Sequence, residues 1–371
     1  MIKPVKVAIL SCNHGHAPGY YGLKSDPMFE LVAVSLKGEA YSDVRVKNLE
    51  GIPQYGTDTE LLDAHPELEA VIIASDNASH FQQLREAAKR GLHIFSMKVP
   101  TFDMEEYDEM IRLTEEAGVV CQVELEMRHH APIYRIKEAI EAGKIGKLLS
   151  VNAVNYSHNP VWWRPWQANP EASYGKRVSL RDGDDRFRGG ALADHPHLFD
   201  LIRYLTDSEF SQVYAEVSPN IRDGVETEDM IHIVGKLENG VSYSVDPSYA
   251  NNEEHVAQMI GMDWNQYPRC VEVFMTAVGT EGVIIADLYG KTYCFQRKSN
   301  GRYAAGSLGS SGLWNRRTEE FYHCIRDGKK PTVGLREHRN SILTMNAAYE
   351  SVAAGKVIQL QGGSENDGNT K

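Results

Sequence analysis

Short apolar runs alternate with helix-patterned stretches over the first 125 residues. VKVAIL (Val5–Leu10), FELVAVSL (Phe29–Leu36), LEAVIIAS (Leu68–Ser75), GLHIFSM (Gly91–Met97) and GVVCQVEL (Gly118–Leu125) read as buried strands. Between them, HFQQLREAAKRG (His80–Gly91) and DMEEYDEMIRLTEEAG (Asp103–Gly118) have helical spacing and exit on glycine, as helices commonly do. Strands alternating with helices predict a parallel, doubly wound sheet. The pattern changes after about residue 128. One more helix, within Ala131–Lys147, leads into longer strand-like runs with Glu-Asn-Gly and Gly-Thr-Glu-Gly turns, which predict antiparallel pairing. Two late helices, within Leu313–Gly328 and Glu337–Lys356, precede a polar tail. The predicted fold class is α/β, with a doubly wound parallel sheet over residues 1–126. An α+β domain with a large open mixed or antiparallel sheet is predicted over 127–360, and a disordered tail over 361–371.

A chain of 371 residues is long enough for two domains. Its 42% apolar and 24% charged residues place it among soluble globular proteins. A net charge of −12 argues against nucleic acid or an anionic membrane as partner, because both require basic patches. The longest apolar runs, such as Ala70–Ala74, are too short to span a bilayer. The N-terminus superficially resembles a signal peptide, but its apolar run is short and no small-residue cleavage site follows, so it reads as a first strand. The cysteines (Cys12, Cys121, Cys270, Cys294 and Cys324) are widely spaced and lack a Cys-x-x-Cys pair. That spacing speaks against a disulfide framework or a cysteine zinc site and fits a reducing cytoplasm.

Several segments carry a common pattern in a fixed order. EAVIIASDNASHFQQLREAAKRGLHIFSMKVP joins a strand, an Asn-x-x-His turn, a helix and a Lys-x-Pro segment. RHHAPIYRIKEAIEAGKIGKLLSV follows, then GGALADHPHLFDLIRYL (Gly189–Leu205), EDMIHIVGKLENG, GTEGVIIAD and AAYESVAAGKVIQL. In this order they resemble the Gfo/Idh/MocA family of NAD(P)-dependent sugar and polyol oxidoreductases, almost end to end. The resemblance implies a Rossmann domain followed by a substrate-binding, oligomer-forming domain. It implies NAD or NADP as cofactor and a small carbohydrate-like substrate. An exposed sheet face in the second domain would need covering, which predicts a homodimer or homotetramer. Three departures stand out. The phosphate turn reads SCNHGHAPG rather than GxGxxG, with Ser11 and Asn13 at the expected glycines and Gly15 kept. The usual Glu before the motif lysine is Met97. The catalytic segment has one residue fewer than the family spacing between Asp194 and His197.

Each candidate also has an ordinary structural reading. Ser11, Asn13, His14 and Gly15 follow the first strand and would meet a pyrophosphate at the start of a helix, or simply form a strand–helix turn. Ser35 and Lys37 end the second strand, where an NAD site normally carries an acid. A Ser and a Lys suit a 2′-phosphate and tilt the balance to NADP, although Glu39 could serve an NAD ribose. Ser75, Asn77 and His80 follow the third strand at the ligand-binding end of such sheets. Asn77 or Ser79 could equally cap the next helix. Lys98 follows the fourth strand, near the expected nicotinamide ring, and could contact the cofactor and take or hold a substrate hydroxyl proton, though rim lysines are more often surface residues. His197 is the candidate base, with Asp194 three residues before it on the same helical face, either to orient it or to bind a neighbouring hydroxyl. His195 is either packed or functional. Asp194, His195 and His197 with Glu124 or Glu126 could hold a divalent metal, but only if the segment starts non-helically; no metal is assigned. Arg128, Tyr156 and His158 are pocket candidates. In the insertion before Gly189, Trp163, with Trp162 and Trp166, serves either substrate stacking or an interface. The leading expectation is hydride transfer at a secondary hydroxyl, with Lys98 and His197 handling the proton. The rivals are a redox-neutral glycoside-cleaving or epimerising enzyme with tightly held NAD, and a non-catalytic nucleotide sensor.

Overall fold

The computed structural model describes residues 3–12, 14, 16–36, 49–158, 190–220, 227–251, 273–288, 292–296, 302–305 and 313–360. Asn13, Gly15, Lys37, Glu39, the tryptophans of the insertion and the tail from 361 lie outside them. The chain divides into two compact units. The first holds Met1–Glu126 and Ser311–Arg339; the second holds Met127–Asn159, Gly190–Ser310 and Asn340–Lys371.

The first unit is built on strands β1 (Val5–Leu10), β2 (Phe29–Ser35), β3 (Gln54–Tyr55), β4 (Ala70–Ile73), β5 (His93–Ser96) and β6 (Cys121–Val123). They form one parallel sheet in the order β3-β2-β1-β4-β5-β6, the arrangement of a dinucleotide-binding Rossmann sheet. Every residue of β4 is buried, as a strand covered on both faces requires. The helices Asn77–Lys89 and Met104–Glu116 are capped by Asp76, which accepts from Ser79 N at 3.1 Å, and by Asp103, which accepts from Glu105 N at 2.8 Å. Asp76 therefore takes the capping role that the sequence offered to Asn77 or Ser79. The glycines after these helices, Gly91 and Gly118, have φ of +68° and +65°, the left-handed exit.

The expected helix after β1 forms as a 3-10 helix, Ala17–Ser25. Its Pro18, Gly19 and Gly22 disfavour a continuous α-helical ladder. The helix Leu313–Asp327, assigned from sequence to the second domain, belongs to the first unit. Phe321 packs on Phe95 with ring centres 5.5 Å apart, and Tyr322 on Phe29 at 6.0 Å. Arg326 holds Glu69 through two nitrogens at 2.7 and 2.9 Å.

The second unit contains β7 (Leu148–His158), β8 (Phe210–Val217), β9 (Ile231–Leu237), β10 (Ser242–Asn251), β11 (Val273–Gly279), β12 (Gly282–Asp287), β13 (Thr292–Gln296), β14 (Arg302–Ala305) and β15 (Ile358–Gln359). They make one mixed sheet, β14-β13-β12-β11-β7-β10-β9-β8-β15, in which β7 and β10 are parallel and the other pairs antiparallel. Strict alternation of buried and half-buried positions along β11 and β12 shows one covered face and one open face. The helices Ala131–Glu141 and His197–Thr206 pack on the covered face. Among the described residues no helix is long and apolar enough to cross a membrane.

Candidate active site

In the first unit the chemistry gathers where the parallel strands end. Ser11, just past β1, has φ +65°, the backbone region a glycine usually supplies at this turn. The turn is tied down by His14 N donating to Ala74 O at 2.9 Å, beyond the end of β4. His16 N donates to His14 Nδ1 at 3.1 Å. Lys98 follows β5 and is only 3% exposed, so it is not a surface lysine. The peptide bond between Lys98 and Val99 is cis.

Beside Lys98 lies a carboxylate the sequence did not single out for this role. Glu124 N donates to Ser96 O at 2.8 Å, which sets Glu124 next to Met97 at the ends of β5 and β6. Its fully buried carboxylate takes His16 Nδ1 at 3.0 and 3.1 Å, the Tyr20 hydroxyl at 3.0 Å, and the Arg317 guanidinium. Burial alone would raise its pKa. The positive charges of His16, Arg317 and Lys98 and the His16 hydrogen bond outweigh burial and bring it down to about 2. His16, Glu124 and Glu126 are also the one donor set among the described residues close enough to share a metal, with ligand atoms within 4.8 Å. Arg317 already neutralises Glu124 there, and Asp194, His195 and His197 form no such set among the described residues.

Other candidates in this unit also make internal contacts. His80, a cofactor-binding candidate, is fully buried with Nδ1 2.8 Å from Val99 O and Nε2 3.2 Å from Ser75 O. Burial holds its pKa below the ordinary value, so its single N–H serves one of these carbonyls. It thereby ties the end of β4 to the segment after Lys98. Ser75 donates to Gln83 Oε1 at 2.5 Å, and Ser35 accepts from Ser11 N at 2.9 Å; both serines are buried. Asn77, the first residue of its helix, is half-buried and its side chain has no partner among the described residues.

In the second unit the predicted single helix is two. Gly190–Asp194 forms a short helix, and a second runs from His197 to Thr206. Pro196 causes the break: it has no N–H to donate and its ring disfavours continuation from the preceding turn. Asp194 and His197 consequently do not share a helix face, contrary to the sequence expectation. His197 is buried at the start of the second helix. His195 sits in the break, with Asn155 Nδ2 3.0 Å from its Nδ1 and the Tyr249 ring edge-on at 5.9 Å.

The break is anchored by Glu228, also unforeseen. Its carbonyl accepts from Ala191 N at 3.0 Å and its Oε1 from Leu192 N at 2.9 Å, satisfying the exposed donors of the first helix. Tyr349 donates to the same oxygen at 3.1 Å. Gly190 makes this approach possible: its φ is +68°, and a Cβ there would lie 2.4 Å from Glu228 O.

Two pocket candidates, Arg128 and Tyr156, lie as follows. Arg128 is buried in a two-nitrogen ion pair with Asp200, one arm at 2.8 Å, and stacks on Tyr204 at 4.8 Å. Its guanidinium ties the segment before the helix Ala131–Glu141 to the helix His197–Thr206. Tyr156 is 38% exposed, whereas Asn155 beside it is 1% exposed. Strand alternation therefore sends Tyr156 to the open face, away from His195.

A family model of oxidoreductases with an NAD-binding Rossmann fold, Gfo/Idh/MocA, matches residues 10–125. The model of that family's C-terminal domain matches residues 133–285. The chain belongs to the Gfo/Idh/MocA family. It is an NAD(P)-dependent oxidoreductase, and the first unit is its dinucleotide-binding domain. Relatives of this family member include scyllo-inositol 2-dehydrogenase (NAD(+)) of Bacillus subtilis, 25% identical over 92% of this chain and 93% of that one. Myo-inositol 2-dehydrogenase of Thermotoga maritima is 25% identical over 87% and 90%. An oxidoreductase from Agrobacterium radiobacter, solved with NAD+, L-tartaric acid and magnesium, has the same fold, with a TM-score of 0.75 at 20% identity over 96% and 98%. The residues present fit a dinucleotide: the strand order opens a crevice at the ends of β1 and β4, and Ser11 takes the left-handed turn in place of glycine.

Proposed function

We propose that this Gfo/Idh/MocA enzyme interconverts a secondary hydroxyl and a carbonyl on a sugar, polyol or derivative. The names of its inositol and xylose dehydrogenase relatives support that substrate class. The observation that carries the reading is the burial of Lys98 at the cofactor end of the parallel sheet, beside the ionised Glu124. A cation is seldom buried there without a chemical task.

The dinucleotide, when bound, supplies the nicotinamide ring that accepts or returns a hydride. Lys98 Nζ holds the substrate hydroxyl and carries its proton as the hydride leaves the carbon. In the second unit, the candidate roles are proton handling for the His197 imidazole and hydroxyl binding for Asp194. His195, oriented by Asn155, presents its ring to the substrate.

Lys98→Met tests this directly. Turnover on an accepted polyol should fall by about 10²- to 10⁴-fold, while NAD(P)H binding by fluorescence titration changes only slightly. A variant that retains full turnover overturns the role of Lys98. Absence of any 340 nm signal across a broad sugar and polyol panel, with either cofactor, overturns the substrate class.

A further inference from the structure

We propose that Asp58 selects NAD(H) over NADP(H), an inference that rests on the first unit being the dinucleotide-binding one. The sequence shows no acid at the end of β2, where Ser35 stands, and so tilted the balance to NADP. The fold supplies the missing acid from 23 residues further on.

β3 brings it there. Gln54 and Tyr55 pair in parallel with Val34 and Ser35, and Leu36 N donates to Tyr55 O at 2.8 Å. The chain then turns into the helix Asp58–Ala64, whose N-cap is Thr57, with Oγ1 accepting from Glu60 N at 3.2 Å. Asp58 is thus free of capping duty. Its carboxylate reaches the end of β2 and accepts from the Ser35 hydroxyl on one oxygen and from Gln83 Nε2 at 2.7 Å on the other.

These bonds are part of one continuous row. Ser11 N donates to Ser35 Oγ, Ser35 to Asp58, Gln83 to Asp58, and Ser75 to Gln83. Ser11, Ser35 and Ser75 stand at or just past the ends of β1, β2 and β4, so the row crosses the rim where a Rossmann sheet receives its ligand. Every donor to Asp58 is neutral, and no cation pairs with it among the described residues. A half-buried carboxylate whose described partners are all neutral has spare lone pairs for donors. The vicinal hydroxyls of an adenosine ribose offer donors. A 2′-phosphate offers only acceptor oxygens and a like charge, and like charges repel strongly where water is scarce.

The test is binding, not turnover. The full-length protein is titrated with NADH and with NADPH at one ionic strength, followed by cofactor fluorescence. The wild type should bind NADH at least about tenfold tighter, the value of one charged hydrogen bond. Asp58→Asn keeps the size and removes the charge. It should raise NADPH affinity, weaken NADH several-fold, and bring the ratio towards one. Asp58→Ser should shift the ratio the same way, and thermal melting confirms that each variant is folded. A purely structural Asp58 would leave the ratio unmoved. Equal wild-type affinities, or a ratio unchanged in both variants, overturn the inference and leave the enzyme reading standing. Binding of neither nucleotide by the wild type overturns both.

Discussion

Glu228 and Glu124 are both fully buried acids, yet their surroundings drive them in opposite directions. Glu228 has two neutral donors on one oxygen and none on Oε2, and burial raises its pKa to about 8. Glu124 is held near 2 by the cations around it. The raised value fixes the sign of a pH effect. In the folded state Glu228 stays protonated until about pH 8, while in the unfolded chain it ionises near the ordinary glutamate value of 4.5. Its contribution to stability is therefore complete below the unfolded value and is lost as pH rises through the window up to about 8. Glu228→Gln removes that loss. Urea unfolding of the variant and wild type should show the difference shifting in favour of the variant from pH 5 to 8, by no more than about 1.4 kcal/mol per pH unit. A pH-independent difference contradicts a neutral Glu228. Neither acid was assigned this role from the sequence. Leu192 is 36 residues from Glu228, and Arg317 is 193 from Glu124, so no local pattern announces these partners.

Strands with consecutive apolar residues were legible because burial on both faces imposes composition directly, as in β1 and β4. Helices with aspartate caps and glycine exits were legible for the same local reason. The segment from Gly190 was not, because its helical spacing concealed the effect of Pro196. The short first helix depends on Gly190, whose left-handed backbone lets Glu228 reach the Ala191 and Leu192 amides. Gly190→Ala should cost at least about 1 kcal/mol in urea unfolding, since alanine at positive φ is strained and its Cβ meets a backbone oxygen. It should also lower turnover more than it lowers NAD(P)H affinity, because the helix break bearing Asp194, His195 and His197 shifts. An alanine variant as stable as wild type would show that the Glu228 loop yields easily.

The open sheet face carries apolar side chains in register. Phe274 lies opposite Val154, and Val278 opposite Val283, with Ile285 on the next pair. These outward positions are half-buried in a single chain, and Tyr156 stands among them exposed. We expect a second copy to cover this face, giving a homodimer or homotetramer by light scattering; a monomer at micromolar concentration contradicts it. The division of the chain has another consequence. The helix Leu313–Asp327 returns Phe321, Tyr322 and Arg317 to a sheet whose strands all precede residue 124. A ribosome delivers those residues late. The nucleotide domain, though first to emerge, must wait for the Arg317 charge on Glu124 and the Phe321 ring on Phe95 until most of the polypeptide has been made. A premature stop before residue 313 would then damage the beginning of the protein as well as its end.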